Sequence, residues 1–428
     1  MTFKKLAPQL SVWLTPALYA GAAIAAGLTF PRIETRIFPE LSAQISVSAA
    51  MAIYSSIASG MIALTGIVFS LAFVMVQFSA TAYSPRLVLW IARDPVMSHA
   101  MGIFTATFLY AIAALAGVDR NGLGKVPFLS AWLVVALLLV SVGMFICLIQ
   151  RINLLQINHM LSFTCDQGRR SIATLYPPFK PAANASETAD CRALPLTQTL
   201  THRGRPLAVQ AVALAKLVSL AQAFGGVIEI PVAVGDTVVE PMPLVFVYGA
   251  SRSIDEHELR NGIELGGERT FEQDPKYAIR LLVDIAIRAL SPAVNDPTTA
   301  VQALDQIEDL LICLGQRDLE IGEFRDDSGT LRLVVPFPRW DDVLRLSFSE
   351  ICSCGATSVQ VMRRMNALVC DLTAFVPEER RIALRSWQRR FRSSIERSFV
   401  EGEERMEALM EDRQGLGVER RTVSSGSL

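Results

Sequence analysis

The residues best suited to do chemistry gather in one stretch of the 428-residue chain. Phe271-Glu272-Gln273-Asp274-Pro275 precedes an apolar-periodic segment over residues 276–290. Ser291-Pro292-Ala293-Val294-Asn295-Asp296-Pro297-Thr298-Thr299-Ala300 then leads into a second such segment, ending near residue 314. Asp274-Pro275 and Asp296-Pro297 write two helix starts in the same way. The Asp side chain accepts from free N–H groups, and Pro takes the first helical position, where a missing donor costs nothing. Asp284 and Arg288 stand four apart, as do Thr298 and Gln302, a spacing that supports a helix internally. Where the helix ends meet, Asp284, Arg288, Asn295, Asp296 and Thr299 could converge on an anion at helix N-termini or a hard cation held by oxygens. A capped helical hairpin needs the same residue types with no ligand at all, and both readings stand at this point.

Other chemistries lack their residues. There is no Gly-x-Ser-x-Gly elbow, His-Glu-x-x-His pair or P-loop, and the four histidines, His99, His159, His202 and His257, lie far apart. An enzyme would have to rest on carboxylates such as Asp284 and Asp296, and no catalytic residue, metal ligand or cofactor is assigned. The seven cysteines include no Cys-x-x-Cys, and Cys352-Ser353-Cys354 is one residue short of one. They fit free thiols in a reducing compartment. The phrase Val234-Gly235-Asp236-Thr237-Val238 followed by Pro243-Leu244 is similar to half of the barrel-sandwich repeat of lipoyl carriers and efflux adaptors. No lysine lies between Lys216 and Lys276 to carry a prosthetic group, so a small structural β-unit is expected there. Net charge is −1, which gives no reason to expect a nucleic-acid partner.

The elements that would position these residues begin with lipid. Residues 6–31, 41–85, 95–118 and 126–150 carry no Lys, Arg, Asp or Glu, and each is long enough to cross a hydrocarbon core as a helix. Residues 41–85 would make a helix about 65 Å long, twice the core thickness. The stretch has no internal turn signal, so one span is expected, from about Ser55 to Phe78 after an interfacial lead-in over residues 41–48. Four spans put Lys4, Lys5, Arg86, Arg93, Arg151, Arg169 and Arg170 on one side and Arg32, Arg36, Arg120 and Lys125 on the other. That bias places both chain ends in the cytoplasm. Along the second span Ser55, Ser59, Ala63, Gly66, Ser70 and Gln77 recur on one helical face. Small and hydroxylated residues there suit helix–helix contact, or the lining of a polar path in an oligomer.

Beyond the spans, residues 151–176 are expected as a helix continuing the fourth span, and residues 177–206 as a linker. Residues 207–223 read as a helix, residues 227–230 and 241–248 as strands, and residues 331–335 as another strand. Helices are expected from Trp340 to about Cys352 and over residues 357–375, with Arg363-Arg364 on a solvated face. Past Pro377, Arg380, Arg381, Arg385, Arg389, Arg390, Arg392 and Arg397 accompany an apolar stripe of Leu384, Trp387, Phe391, Ile395 and Phe399. Such a helix packs on its own domain or lies on an anionic leaflet. The tail from Gln414 is expected to be disordered. The fold class that results is an α-helical transmembrane domain of four spans followed by a cytoplasmic α+β region with a small β-unit and a helical hairpin. Its divisions fall at 1–150, 151–206, 207–250, 251–376 and 377–428.

Several phrases occur together: Tyr83-Ser84-Pro85-Arg86-Leu87, Gly102-Ile103-Phe104-Thr105-Ala106-Thr107-Phe108-Leu109-Tyr110, Gly235-Asp236-Thr237-Val238, Leu282-Val283-Asp284-Ile285-Ala286, and Ala289-Leu290 running on through Asn295-Asp296-Pro297-Thr298-Thr299-Ala300. In these the chain resembles the bacterial predicted membrane proteins classed as domain of unknown function 2254, over residues 5–400. The resemblance implies a four-span membrane domain followed by a cytoplasmic α+β region, and supplies no activity, cofactor or catalytic residue. Val88-Leu89-Trp90 departs from it, since a further basic residue is expected there. The expectation is a non-enzymatic inner-membrane protein, homo-oligomeric and channel- or sensor-like, with a cytoplasmic partner or small ligand of unknown identity. The alternatives are a scaffold for a cytoplasmic partner and a carboxylate-based membrane enzyme.

Overall fold

The computed structural model describes residues 14–38, 46–82, 95–118, 126–153, 157–180 and 191–417. Two compact units result, residues 4–156 and residues 157–428.

In the first unit, α1 (Leu14–Ile37), α2 (Val47–Ala82), α3 (Pro95–Leu115) and α4 (Phe128–Asn153) are each long and apolar enough to cross a bilayer. Residues 46–82 hold a single helix, and its apolar span starts at Val47, earlier than expected, because the alternating Ser46-Val47-Ser48 already forms its first turn. Residues 41–45 of the expected lead-in lie outside the described residues. Helix α3 sits at the centre, packed by α1, α2 and α4, with Ala100, Phe104 and Ala111 fully enclosed. The α1–α3 approach depends on glycine: a Cβ on Gly27 would stand 2.6 Å from that of Ala113, and one on Gly102 would stand 2.9 Å from the Tyr19 ring. Such close backbone approach is how helices associate where lipid removes the hydrophobic drive. Thr107 and Ser141 hydrogen-bond at 2.8 Å between α3 and α4.

The second unit is mixed α/β. Helix α5 (Ile157–Leu175) precedes strands β1 (Leu196–Thr201) and β2 (Leu207–Val212), α6 (Leu214–Ala223), β3 (Val227–Glu229), β4 (Thr237–Val238) and β5 (Pro243–Tyr248). Then follow α7 (Glu256–Arg260), β6 (Ile263–Gly266), α8 (Pro275–Ala289), α9 (Pro297–Gly315), β7 (Glu323–Arg325) and β8 (Leu331–Val334). The chain continues through α10 (Trp340–Cys354), α11 (Val359–Phe375), α12 (Glu378–Ser398) and α13 (Glu403–Leu409). A five-stranded sheet runs β1-β5-β3-β8-β7, with β3 and β8 parallel and Ile228 opposite Leu333. A second, three-stranded sheet runs β4-β2-β6. Val209, Leu217, Ile228, Val238, Val245 and Leu333 share the core between the sheets and α6.

Four expectations change here. Residues 207–223 are a strand followed by a helix. Leu207–Val212 pairs with β4 on one side and β6 on the other, and that two-sided ladder overrides the helical propensity of Leu, Ala and Gln. The expected linker contains β1, an edge strand whose Leu-Thr-Gln-Thr-Leu-Thr alternation buries Leu200. Arg364 is not on a solvated face: it is buried, donates at 2.7 Å to Asp305 and also pairs with Glu308 on α9. Within the tail, Gln414–Gly417 are ordered by Asp412, which accepts from the amides of Gln414 and Gly417, while Arg413 grips Asp371. Residues 418–428 lie outside the described residues.

The helical layer centres on α8, covered by α5, α9 and α10, with Leu281, Leu282, Val283 and Ile285 all buried. Helix α12 turns its apolar stripe inward: Leu384, Trp387, Phe391, Ile395 and Phe399 are buried, and Trp387 and Phe391 meet Phe348 edge-on at 5.5 Å. A helix lying apolar-side-down in lipid is therefore ruled out for this segment. Arg380 also turns inward. Its Nη1 donates to Leu314 O at 2.7 Å and its Nη2 to Arg317 O at 2.5 Å, closing the C-terminal end of α9, with the guanidinium over Trp340 and Phe179. Burial lowers its pKa. Arg380→Met should cost about 1–3 kcal/mol, the penalty of leaving buried carbonyls unpaired. Arg380→Lys should recover little, because one ammonium cannot reproduce the fork. Thermal unfolding of the full chain in detergent reads both, and unchanged transitions would refute the cap.

Candidate functional site

Helix α4 starts within Val126-Pro127-Phe128-Leu129, with no Ser, Thr, Asp or Asn immediately before it to accept from its first amides. The acceptor comes from elsewhere. Glu34, in the last turns of α1, takes Leu129 N at 2.6 Å on Oε1 and Ser130 N at 2.9 Å on Oε2, and is only 3% exposed. A carboxylate at a helix N-terminus is favoured by the aligned peptide dipoles as well as by the two hydrogen bonds. Ser130 Oγ lies 3.1 Å from the Tyr110 hydroxyl of α3. The Tyr54 hydroxyl of α2 stands close to Ser130, Tyr110 and Glu34. Tyr54 is 2% exposed, and among the described residues its oxygen makes no hydrogen bond of ordinary geometry. One polar residue from each of the four helices thus meets at the end of the bundle where α1 finishes and α4 begins. The arrangement latches the helices together: α4 cannot move against α1 without breaking two carboxylate–amide bonds. These residues escape a reading of the charge-free runs because Glu34 lies just past the first. The missing cap before Phe128 is the signal that calls for it.

The acidic and amide residues singled out in sequence divide into two groups. Asp284 accepts from Arg280 Nε at 2.7 Å, and Arg280 reaches Glu350 on α10 at 2.5 and 2.9 Å. This cluster ties α8 to α10, and Arg288 lies one turn further along α8, half-buried. Glu350 is held below the usual carboxylate range by the Arg280 guanidinium. In the second group, Asp296 accepts from Thr299 N at 3.1 Å and from Thr299 Oγ1 at 2.6 Å, capping α9. Asn295 is exposed and takes a left-handed φ of 47°, which lets Asp296 N reach Ala289 O at 2.8 Å and closes the turn from α8. Asn tolerates that conformation better than most residues. Asp296 and Thr299 are brought together, and Asp284 works with Arg280 and Glu350. Among the described residues, no group of three or more His, Cys, Asp or Glu could hold a metal ion.

The α2 face is placed differently from a contact within the chain. Ser55, Ser59, Ala63, Gly66, Ser70 and Gln77 are all exposed, while Tyr54, Ala58, Met61 and Val68 take the buried side. A Cβ added to Gly60 or Gly66 would meet nothing within 4 Å.

Substitution separates the two caps from alternative roles. Glu34→Leu should lower the thermal transition of the detergent-solubilised chain by about 1–3 kcal/mol equivalent, and Glu34→Gln by less, since an amide oxygen still accepts. Identical transitions for all three proteins would refute the latch. For α9, Asp296→Asn should be near neutral and Asp296→Ala should cost about 1 kcal/mol, read in the same way.

The family described as predicted membrane protein (DUF2254) matches residues 9–370. Among curated proteins, the chain is 27% identical over 418 residues to uncharacterized protein Rv1290c of Mycobacterium tuberculosis, covering 92% of this chain and 79% of that one. The same identity and coverage hold for uncharacterized protein Mb1321c of Mycobacterium bovis. No solved structure matches the chain.

Proposed function

Because the chain belongs to the DUF2254 family of predicted membrane proteins, we propose that it is a multi-pass inner-membrane protein that assembles with copies of itself through the outward face of α2. In this reading the assembly is channel- or sensor-like and non-enzymatic, and residues 157–428 form a cytoplasmic regulatory region that binds a partner or small ligand. The observation that carries it is the outward placement of Ser55, Ser59, Ala63, Gly66, Ser70 and Gln77. Serine and glycine gain nothing by facing acyl chains, whereas a second helix can approach closely over them and share hydrogen bonds. The side assignment rests on the excess of Lys and Arg at Lys4, Lys5, Arg86, Arg93, Arg151, Arg169 and Arg170. Seven scattered cysteines with no Cys-x-x-Cys agree with a reducing compartment. The helix pair over residues 275–315, with its Asp caps, is the part of the regulatory region best suited to respond to a ligand at its ends.

Native mass spectrometry of the full chain released from lipid nanodiscs should give an oligomer, and Ser59→Leu with Gly66→Leu should shift it to monomer without lowering the thermal transition. A wild-type monomer at every concentration would overturn the assembly. Planar-bilayer recordings silent under voltage, tension and added ions would remove the channel version alone.

A further inference from the structure

Helix α12 has two faces of opposite character, and only one is used inside the protein. Leu384, Trp387, Phe391 and Ile395 are buried, while Arg385, Arg389, Arg390, Arg392 and Arg397 stand on the exposed side. Arg385, Arg389 and Arg392 follow a spacing of four and three, so they share one strip, and Ile382, 73% exposed, lies on the same strip. Between residues 380 and 397 there are seven arginines and one acidic residue, Glu396. Glu396 is already engaged by Arg392 at 3.2 Å and by Arg405 at 3.7 Å. Among the described residues no ion pair holds Arg385 or Arg389.

We propose that this arginine strip docks on the anionic phospholipid headgroups of the membrane in which α1–α4 are embedded. Three observations favour that occupant. Guanidinium groups match phosphate oxygens as paired donors. The chain between Asn153, which ends α4, and Ile157, which begins α5, spans at most about 14 Å. The second unit is therefore covalently held to a chain embedded in the membrane, and a headgroup layer is the polyanion always within reach. Trp387 and Phe391 are buried and so unable to stack on bases, which disfavours nucleic acid as the occupant. With its apolar stripe already used in the core, the helix docks by charge and does not insert. On this strip Ile382 is the apolar side chain that would touch lipid.

The test uses the full chain carrying the photo-crosslinker Ile382→p-benzoylphenylalanine, reconstituted in nanodiscs of phosphatidylcholine alone or of an equal mixture with phosphatidylglycerol. Discs with two identical leaflets make the result independent of which side of the cell membrane the unit occupies, and of whether α2 assembles. Phospholipid adducts at position 382 should rise roughly tenfold in the anionic discs and fall back at high salt. In R385Q/R389Q/R392Q the rise should vanish while the thermal transition stays unchanged, since all three side chains are exposed. Equal adduct yields in both lipids would overturn the proposal. So would adducts only to protein or to co-purifying nucleic acid. The salt titration of the chain with native arginines decides the matter independently of how the triple variant folds.

Discussion

Lipid hydrates nothing, so helix ends at the borders of the hydrocarbon core need donors and acceptors from the protein itself. The start of α4 lacks a local acceptor, and Glu34 supplies one from 95 residues earlier in the chain. Much of the membrane unit follows from that bond pair. It ties the first span to the fourth, Ser130 extends the connection to Tyr110 on α3, and Tyr54 brings α2 to the same point. With the helix ends registered, Gly27 and Gly102 let α1 and α3 come within side-chain-free distance of each other. The result is one helix, α3, more covered than the rest, and three that keep broader faces outward. Ile67 at 64% and Leu139 at 66% exposed are where acyl chains belong.

The second unit meets the same problem by different means, placing guanidinium groups where helices must be joined. Arg364 joins α11 to Asp305 and Glu308 of α9, Arg280 joins α8 to Glu350 of α10, and Arg413, past the end of α13, ties the chain back to Asp371 of α11. Such pairs hold register more than they add stability, because desolvation offsets much of the attraction while loss of one partner strands the other. Asp274 illustrates the balance. It caps α8 and accepts from Arg269 at 2.6 and 2.8 Å, yet burial still pushes its carboxyl above the usual range. A carboxyl raised in the folded state disfavours folding as pH rises through the carboxylate range, so its value is positional. It fills the space over Gly235, where a Cβ would collide with its Oδ2, and so locks the β3–β4 turn to the start of α8.

What could be read from sequence divides along the range of the interactions. The spans were legible because freedom from charge over twenty residues is a one-dimensional property, and the Asp274-Pro275 and Asp296-Pro297 starts because a cap reaches only three residues. The strands β1 and β2 were not, since what makes Leu207–Val212 a strand is the pairing of Val209 and Val212 with Leu265 and Ile263 more than fifty residues on. The burial of Arg364 depends on Asp305, and that of Arg380 on the end of α9, so an Arg-rich stretch could not reveal which arginine turns inward. In α2 the periodicity showed that two faces differ. It did not show that Tyr54, Ala58, Met61 and Val68 are the inward set, which leaves the small residues outside.

That last distinction shapes how the two leftover surfaces are to be understood. A face that is chemically distinctive but unused within a chain has to be matched by its surroundings, and the match differs in the two units. Along α2, hydroxyls and glycines face a medium that offers neither hydrogen bonds nor a reason for small side chains, so another protein surface is the fitting neighbour. Along α12, guanidinium groups face outward with one carboxylate among them, so the fitting neighbour is a dense source of phosphate. Neither face could exchange roles with the other, because arginine at the middle of α2 would be costly in lipid and a serine–glycine strip on α12 would have nothing to hold in water. On the reading proposed above, the α2 face would meet a second copy of the chain within the bilayer and the α12 face would meet the bilayer from outside.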